Sequence, residues 1–250
     1  MEKSGRIALV TGTSSGIGAA IAKALLEDSW TVVGLSRRQV DFDHGDYVHI
    51  RVDLGDLAAL RDIAASRLAP LLGDPRWRRV GLVNNAALIG PSCLVEDLDP
   101  MDLARLLAVN TVAPVFLMGT VIRHTAPATP LRIVNLSSGA AVRTLPGQLD
   151  YGCSKAALRY ASMAVAEELG TSDRPGGGRP DAAVVSYSPG VVDTPMQEVA
   201  RSPDRSWNQL FIDMHAQGQL QRPDGPAAEV VTFLSGGPAE LFIERRFGDT

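Results

Sequence analysis

Residues 6–18 read RIALVTGTSSGIG, and this stretch decides the fold. RIALVT (6–11) is a short run of branched apolar side chains with the pattern of a buried strand. It passes into TGTSSGIG (11–18), after which Ile17, Ala20, Ile21, Ala24 and Leu25 recur at helical spacing along one face. Gly12 allows the tight turn out of the strand, Gly16 lets the backbone approach a ligand closely, and Gly18 permits close packing of helix on strand. Ser14, Ser15 and Ile17 complete the loop. A helix N-terminus has unpaired N–H groups and the positive end of the dipole, so the loop is predicted to cradle a pyrophosphate.

Outward from this loop, short apolar runs alternate with helical patterns. TVVGLS (31–36), YVHIRVDL (47–54), RVGLVNNAA (79–87), LRIVNLSS (131–138) and AAVVSYSPG (182–190) read as further strands. Helices are expected over 57–72, from Asp99-Pro100 through Asn110 with a kink at Pro114, and over 151–169. Nearly continuous apolar strands imply helices on both faces of a parallel sheet. The fold class is therefore α/β, doubly wound and Rossmann-type, in one domain spanning 1–250. Two segments break the rhythm. TSDRPGGGRPD (171–181) reads as a surface loop, and 191–222 contains an amphipathic stretch with Trp207, Leu210, Phe211 and Met214. That stretch is either a packed helix or a substrate lid.

Composition narrows the function. The formal net charge is −4 and no Lys/Arg-rich run occurs, which argues against nucleic acid. No apolar run approaches the ~20 residues that span a bilayer, and MEKSGRIALVTG passes straight into the first strand without a leader pattern. The two cysteines, Cys93 and Cys153, have neither metal-ligand nor disulfide spacing, so no metal is expected and a cytoplasmic location fits.

A site for NAD places an acidic residue at the end of the second strand, about 20 residues beyond the glycines. Here that strand ends in Ser36-Arg37-Arg38. A guanidinium fork matches a phosphate, so Arg37 and Arg38 point to NADP(H) held by its 2′-phosphate.

Seven signals in order, TGTSSGIG (11–18), Asp53-Leu54, NNAA (84–87), Asn110, IVNLSS (133–138), Tyr151-x-x-x-Lys155 and SPGVVDTPM (188–196), resemble the short-chain dehydrogenase/reductase family. The family's fourth-strand motif ends in glycine, where this chain has Ala87. The resemblance implies Ser138, Tyr151, Lys155 and Asn110 as the catalytic set. Asn110 would hold a water that links Lys155 to solvent, and family spacing favours Ser138 over its neighbour Ser137. It further implies Asp53 and Leu54 beside the adenine, and Asn84 and Ala86 beside the adenosine. Pro189 and Gly190 would lie along the nicotinamide, with Val192 and Thr194 at its carboxamide, and Lys155 on its ribose.

The chemistry is consistent with those roles. Residues four apart share a helix face. An ammonium near a phenol is expected to lower its pKa from about 10. Tyr151 would donate a proton to a carbonyl oxygen, while Ser138 donates a hydrogen bond to the same oxygen.

VNLSSGAA, YGCSKAAL and SPGVVDTPMQ, with FIDMHAQGQL further on, are most similar to the sepiapterin reductase and benzil reductase branch. That resemblance implies an NADPH-dependent reductase of vicinal dicarbonyls. PAELFIERRFGDT has no counterpart of the aspartate that anchors a pterin, which favours a small dicarbonyl. Other substrates of the family, a β-ketoacyl thioester, a steroid or a sugar alcohol, are the main alternative, and a non-catalytic NADP(H) sensor is a minor one. Leu145, Leu149, Tyr187 and Met196 are candidates for either pocket wall or ordinary packing. His215 is read as a surface group. Family members pair through the helix bearing Tyr-x-x-x-Lys and the one before it, which implies a homodimer or homotetramer.

Overall fold

The computed structural model describes residues 5–40, 42–174, 177–202, 205–206, 208–237 and 240–249. Strands β1 (Arg6–Thr11), β2 (Thr31–Ser36), β3 (Tyr47–Arg51), β4 (Arg79–Asn84), β5 (Leu131–Leu136), β6 (Ala182–Ser188) and β7 (Phe242–Arg246) form one sheet in the order β3-β2-β1-β4-β5-β6-β7. Every pairing is parallel. The chain order reverses between β1 and β4, so the loops after these strands diverge and open a crevice at their C-terminal ends.

The helices are α1 (Gly16–Glu27), α2 (Leu57–Ile63), α3 (Ala69–Leu72), α4 (Pro100–Leu107), α5 (Ala113–His124), α6 (Leu149–Gly170), α7 (Pro195–Ala200), α8 (Gln209–Ala216) and α9 (Asp224–Ser235). Alternation along the strands divides the core in two. Ile7 and Leu9 of β1 pack with Leu60, Leu117 and Leu158 from α2, α5 and α6, whereas Ala8 and Val10 pack with Ile21, Leu25 and Val230 from α1 and α9. The fold is a Rossmann-type parallel sheet with helices on both faces.

Four features differ from the sequence reading. Strands β3, β4 and β5 end three, three and two residues earlier than expected, because their last residues turn into the loops of the crevice. β7 escaped notice because it is an edge strand whose FIERR sequence is only half apolar. At the kink expected from Pro114 the helix widens: a π-helical turn, Ala108–Val112, joins α4 to α5, and Pro114 lies in the first turn after it, so the helical run continues across the proline. The continuous run Pro100–His124, with mean hydropathy 1.6, is therefore long and apolar enough to cross a membrane, but half of it is buried in the protein and Leu117, Met118 and Val121 belong to the core. Finally, the loop after α6 is not a free insertion. Arg179 is buried, its backbone N–H bonds Leu169 O at 2.8 Å, and its guanidinium donates to the Thr125 carbonyl.

Candidate active site

The crevice is a cavity of about 580 Å³. Its phosphate end is the N-terminus of α1. Gly12 and Gly16 have φ of +75° and +57°, a backbone region natural to glycine. A Cβ at Gly18 would collide with the Gly12 carbonyl and the Asn85 amide, so the helix can approach β4 only with glycine there. Ser15, the N-cap residue, makes no side-chain cap, and no acidic residue lies in the first turn. Uncapped N–H groups without a competing carboxylate fit a pyrophosphate.

Above this loop, the Arg38 guanidinium donates to Ser14 Oγ at 3.1 Å and to Ser15 Oγ at 3.0 Å. Arg37 lies beside it on the cavity wall. Opposite, Asp53 accepts the Gly55 N–H at 2.9 Å and pairs with Arg105 at 3.1 Å. Those contacts, the backbone one first, keep its carboxyl below the ordinary value despite partial burial. Arg105 on α4 was not foreseen, since its contact with Asp53 spans 52 residues of sequence.

The loop after β4 is built on Thr11, whose hydroxyl accepts the N–H of Asn85 at 2.9 Å and of Ala86 at 3.0 Å. Ala86 and Asn85 line the cavity; Asn84 does not. Asn84 faces the helix layer on the side of Leu82, where its Nδ2 donates to Asn135 Oδ1 at 2.8 Å. Strand alternation in VGLVN could have indicated this, since Asn84 shares parity with Val80 and Leu82. Asn85 takes the cavity position that the reading gave to Asn84.

At the other end, Tyr151 and Lys155 project from the first turns of α6. Lys155 is buried and its Nζ donates to Leu136 O at 2.7 Å. Its ammonium nitrogen lies 5.6 Å from the Tyr151 ring centre. Burial pushes Tyr151 up to about 12, against the pull of the Ser138 hydroxyl bonded to it, and lowers Lys155 to about 8. The expected depression of the tyrosine is thus reversed, because burial disfavours phenolate and ammonium alike. Ser138 Oγ also accepts the Ala140 N–H at 3.2 Å.

Asn110, in the π-helical turn, is wholly buried and does not line the cavity. Its side chain accepts the Leu88 N–H at 2.7 Å and donates to Leu88 O at 2.9 Å and Ser154 Oγ at 3.0 Å. The amide therefore clamps the loop after β4 to α6, and these bonds do not reach Lys155. Pro189, Gly190, Val192 and Thr194 form the remaining wall, braced by Asp193 N–H to Gln221 O at 2.9 Å. Gly18, like Asn84 and Asn110, is a supporting residue outside the lining; the other catalytic and cofactor-binding candidates meet in this one cavity.

Beyond the catalytic groups, the wall is Ile89, Gln148, Met196, Val199 and Phe211. Of the four wall candidates only Met196 is among the lining. Leu145 and Leu149 are exposed elsewhere, and Tyr187 is buried under α9 with its hydroxyl donating to Glu229 at 2.9 Å. Phe211 comes from α8, a helix with no buried residue. Trp207 lies outside the described residues. His215 is exposed, and no cluster of metal-ligating side chains occurs among the described residues.

A glycine-loop cavity at the switch point of a parallel sheet, ending in a half-buried serine and tyrosine beside a buried lysine, defines a nucleotide-dependent oxidoreductase site. A family profile described as short chain dehydrogenase matches residues 6–205. The chain belongs to the short-chain dehydrogenase/reductase family, whose cofactors are NAD(P). A benzil reductase ((S)-benzoin forming) of Bacillus subtilis is 30% identical over 233 residues, covering 92% of this chain and 93% of that one. A benzil reductase ((S)-benzoin forming) of Bacillus cereus is 28% identical over 240 residues, covering 92% and 94%. Among solved structures, KRED1-Pglu superposes with a TM-score of 0.79 at 25% identity, covering 95% of this chain and all of that one.

Proposed function

We propose that the protein is an NADPH-dependent carbonyl reductase whose substrate is a vicinal dicarbonyl. The observation that carries this reading is geometric: Ser138, Tyr151 and Lys155 line one end of the cavity that begins at the α1 N-terminus. A phenol there keeps its proton at neutral pH, and desolvation raises its pKa further. A group in that state is an acid, which suits reduction of a carbonyl. Bound NADPH supplies the hydride. Ser138 orients the carbonyl oxygen, Tyr151 delivers the proton to it, and the Lys155 ammonium offsets the charge left on the phenol oxygen. Asn110 holds the loop and α6 in register around them.

For the cofactor, Arg37 and Arg38 at the end of β2 would grip the 2′-phosphate, Asp53 and Leu54 would meet the adenine, and Val192 and Thr194 the carboxamide. Ile89, Met196, Val199 and Phe211 give the substrate end an apolar lining suited to aryl or alkyl arms. Similarity to two benzil reductases supports the dicarbonyl. The segment 191–222 acts as a lid, since α8 contributes Phe211 to the cavity while burying none of its own residues. We place the enzyme in the cytoplasm as a homo-oligomer, with no membrane or nucleic-acid partner.

The test is NADPH oxidation with benzil and other 1,2-dicarbonyls, beside acetoacetyl thioester, a keto-steroid and a ketose, in wild type and Tyr151→Phe. Diketone turnover that falls about 10²–10⁴-fold in the variant supports the reading. Turnover confined to the other compounds would overturn the substrate class, and turnover unaffected by the variant would overturn the proton donor.

A further inference from the structure

A second crevice of about 200 Å³ opens beside Ser137 and Ser138, which line it as well as the main cavity. At ~30 Å³ per water it has room for roughly six waters. Its floor is the far end of β6 and β7. The register pairs Ser186 with Glu244 and Ser188 with Arg246, so these four side chains share one face of the sheet, while Arg245 pairs with Tyr187 on the other. Its rim is the loop after β5, where the Arg143 guanidinium lies over Gly139, 3.9 Å from where a Cβ would stand.

The charges here do not cancel. Glu244 is committed to Arg159 through two bonds of 2.6 Å. Asp249 accepts the backbone N–H of Arg246 at 2.8 Å. Among the described residues nine ion pairs occur, one of them Arg159–Glu244 at this crevice, and neither Arg143 nor Arg246 is in any of them. With Glu244 paired to Arg159, Asp249 is the one carboxylate of the lining facing the two guanidiniums outside any ion pair. Positive charge is therefore in excess beside Ser186 and Ser188, in a crevice that touches the serine assigned to the reacting oxygen; that is an arrangement for a carboxylate.

We infer that this crevice is a carboxylate subsite, so that the substrate is a dicarbonyl with an apolar arm among Met196, Val199 and Phe211 and a carboxylate arm between Arg143 and Arg246. The inference rests on the reading of the main cavity as a carbonyl-reductase site. It adds a selection that an apolar wall cannot provide: an acid is preferred over its neutral ester because only the acid gains charge-assisted bonds to the guanidiniums.

The experiment compares 3- and 4-carboxybenzil with their methyl esters. Binding is measured by calorimetry on protein saturated with NADP+, where no reduction occurs, and NADPH oxidation is followed separately. At least one acid is expected to bind tenfold or more tightly than its ester, and Arg143→Gln with Arg246→Gln to bring that ratio within twofold. Both side chains are exposed, so the fold survives their replacement. Acids and esters binding equally, no binding by any of them, or a ratio untouched by the arginine changes would overturn the subsite. Arginine-dependent binding of an acid without oxidation of NADPH would leave the subsite standing and sink the dicarbonyl-reductase reading instead.

Discussion

Lys155 donates its ammonium to the Leu136 carbonyl at 2.7 Å while lying 5.6 Å from the centre of the Tyr151 ring. The carbonyl at the end of β5 thus holds the lysine under the phenol. Lys155 is buried and Tyr151 half-buried, and desolvation moves the pKa of each toward its neutral form, Tyr151 up to about 12 and Lys155 down to about 8.

That burial should be measurable as stability. The lysine's folded pKa of about 8 lies below its unfolded value of 10.5. Below pH 8 it is protonated in both states and the folded protein bears the full cost of a buried ammonium. Between pH 8 and 10.5 the unfolded state binds more protons, so the cost is relieved as pH rises. Lys155→Met should therefore abolish turnover yet stabilise the fold at pH 7 by up to about 3 kcal/mol, with the advantage shrinking toward pH 10.5. Chemical denaturation across pH 7–10.5 reads this, and a variant less stable than wild type at pH 7 would contradict it.

The two arginines after β2 should decide the cofactor. A charge-assisted bond to a phosphate contributes roughly 1.5–3 kcal/mol, so Arg37→Ala with Arg38→Ala should weaken NADPH binding tenfold or more and leave NADH within about threefold. Fluorescence titration of both cofactors checks it, and equal losses would mean that Arg38 only braces Ser14 and Ser15 and that neither guanidinium reads the 2′-phosphate.

Gly18 offers a steric test. Its added methyl group would meet the Gly12 carbonyl, which is backbone and cannot rotate away. Gly18→Ala should cost about 1–3 kcal/mol and weaken NADPH binding by disturbing Gly12 and the loop beside it. Gly119→Ala, where a Cβ meets nothing within 4 Å, is the control and should be neutral or stabilising. A Gly18→Ala protein as stable as wild type would refute the close-approach argument.

These tests address features that differ in how visible they are in the sequence. The glycine loop, Tyr151 and Lys155 are local patterns whose meaning follows from strand, turn and helix spacing, and the parallel sheet with helices on both faces follows from the strand–helix alternation. Asn84 and Asn85 were confused because the motif names a pair, while the pleat decides which of the two turns toward the cavity. The Asp53–Arg105 pair and the Arg143–Arg246 crevice join segments far apart in sequence, so no single stretch announces them. The direction of the Tyr151 shift was misjudged for a related reason: proximity to the lysine is written in the i, i+4 spacing, whereas the depth at which both are buried is a property of the whole fold.

The last prediction concerns the surface of α4, α5 and α6. Met101, Val112, Val115, Phe116, Tyr160 and Met163 are large apolar side chains left 37–75% exposed on adjacent helices, with Tyr160 and Met163 on the same helix as the catalytic tyrosine. Large apolar side chains exposed together on adjacent helices mark an association surface, and an ordinary stable interface buries roughly 800 Å² per partner. Light scattering at micromolar concentration should therefore return twice the chain mass or more, and Phe116→Glu with Tyr160→Glu should return a monomer. Because α6 positions Tyr151 and Lys155, the monomer is also expected to lose activity in step with dissociation. A wild-type protein that is monomeric yet fully active would mean that α6 is held by its own core contacts alone.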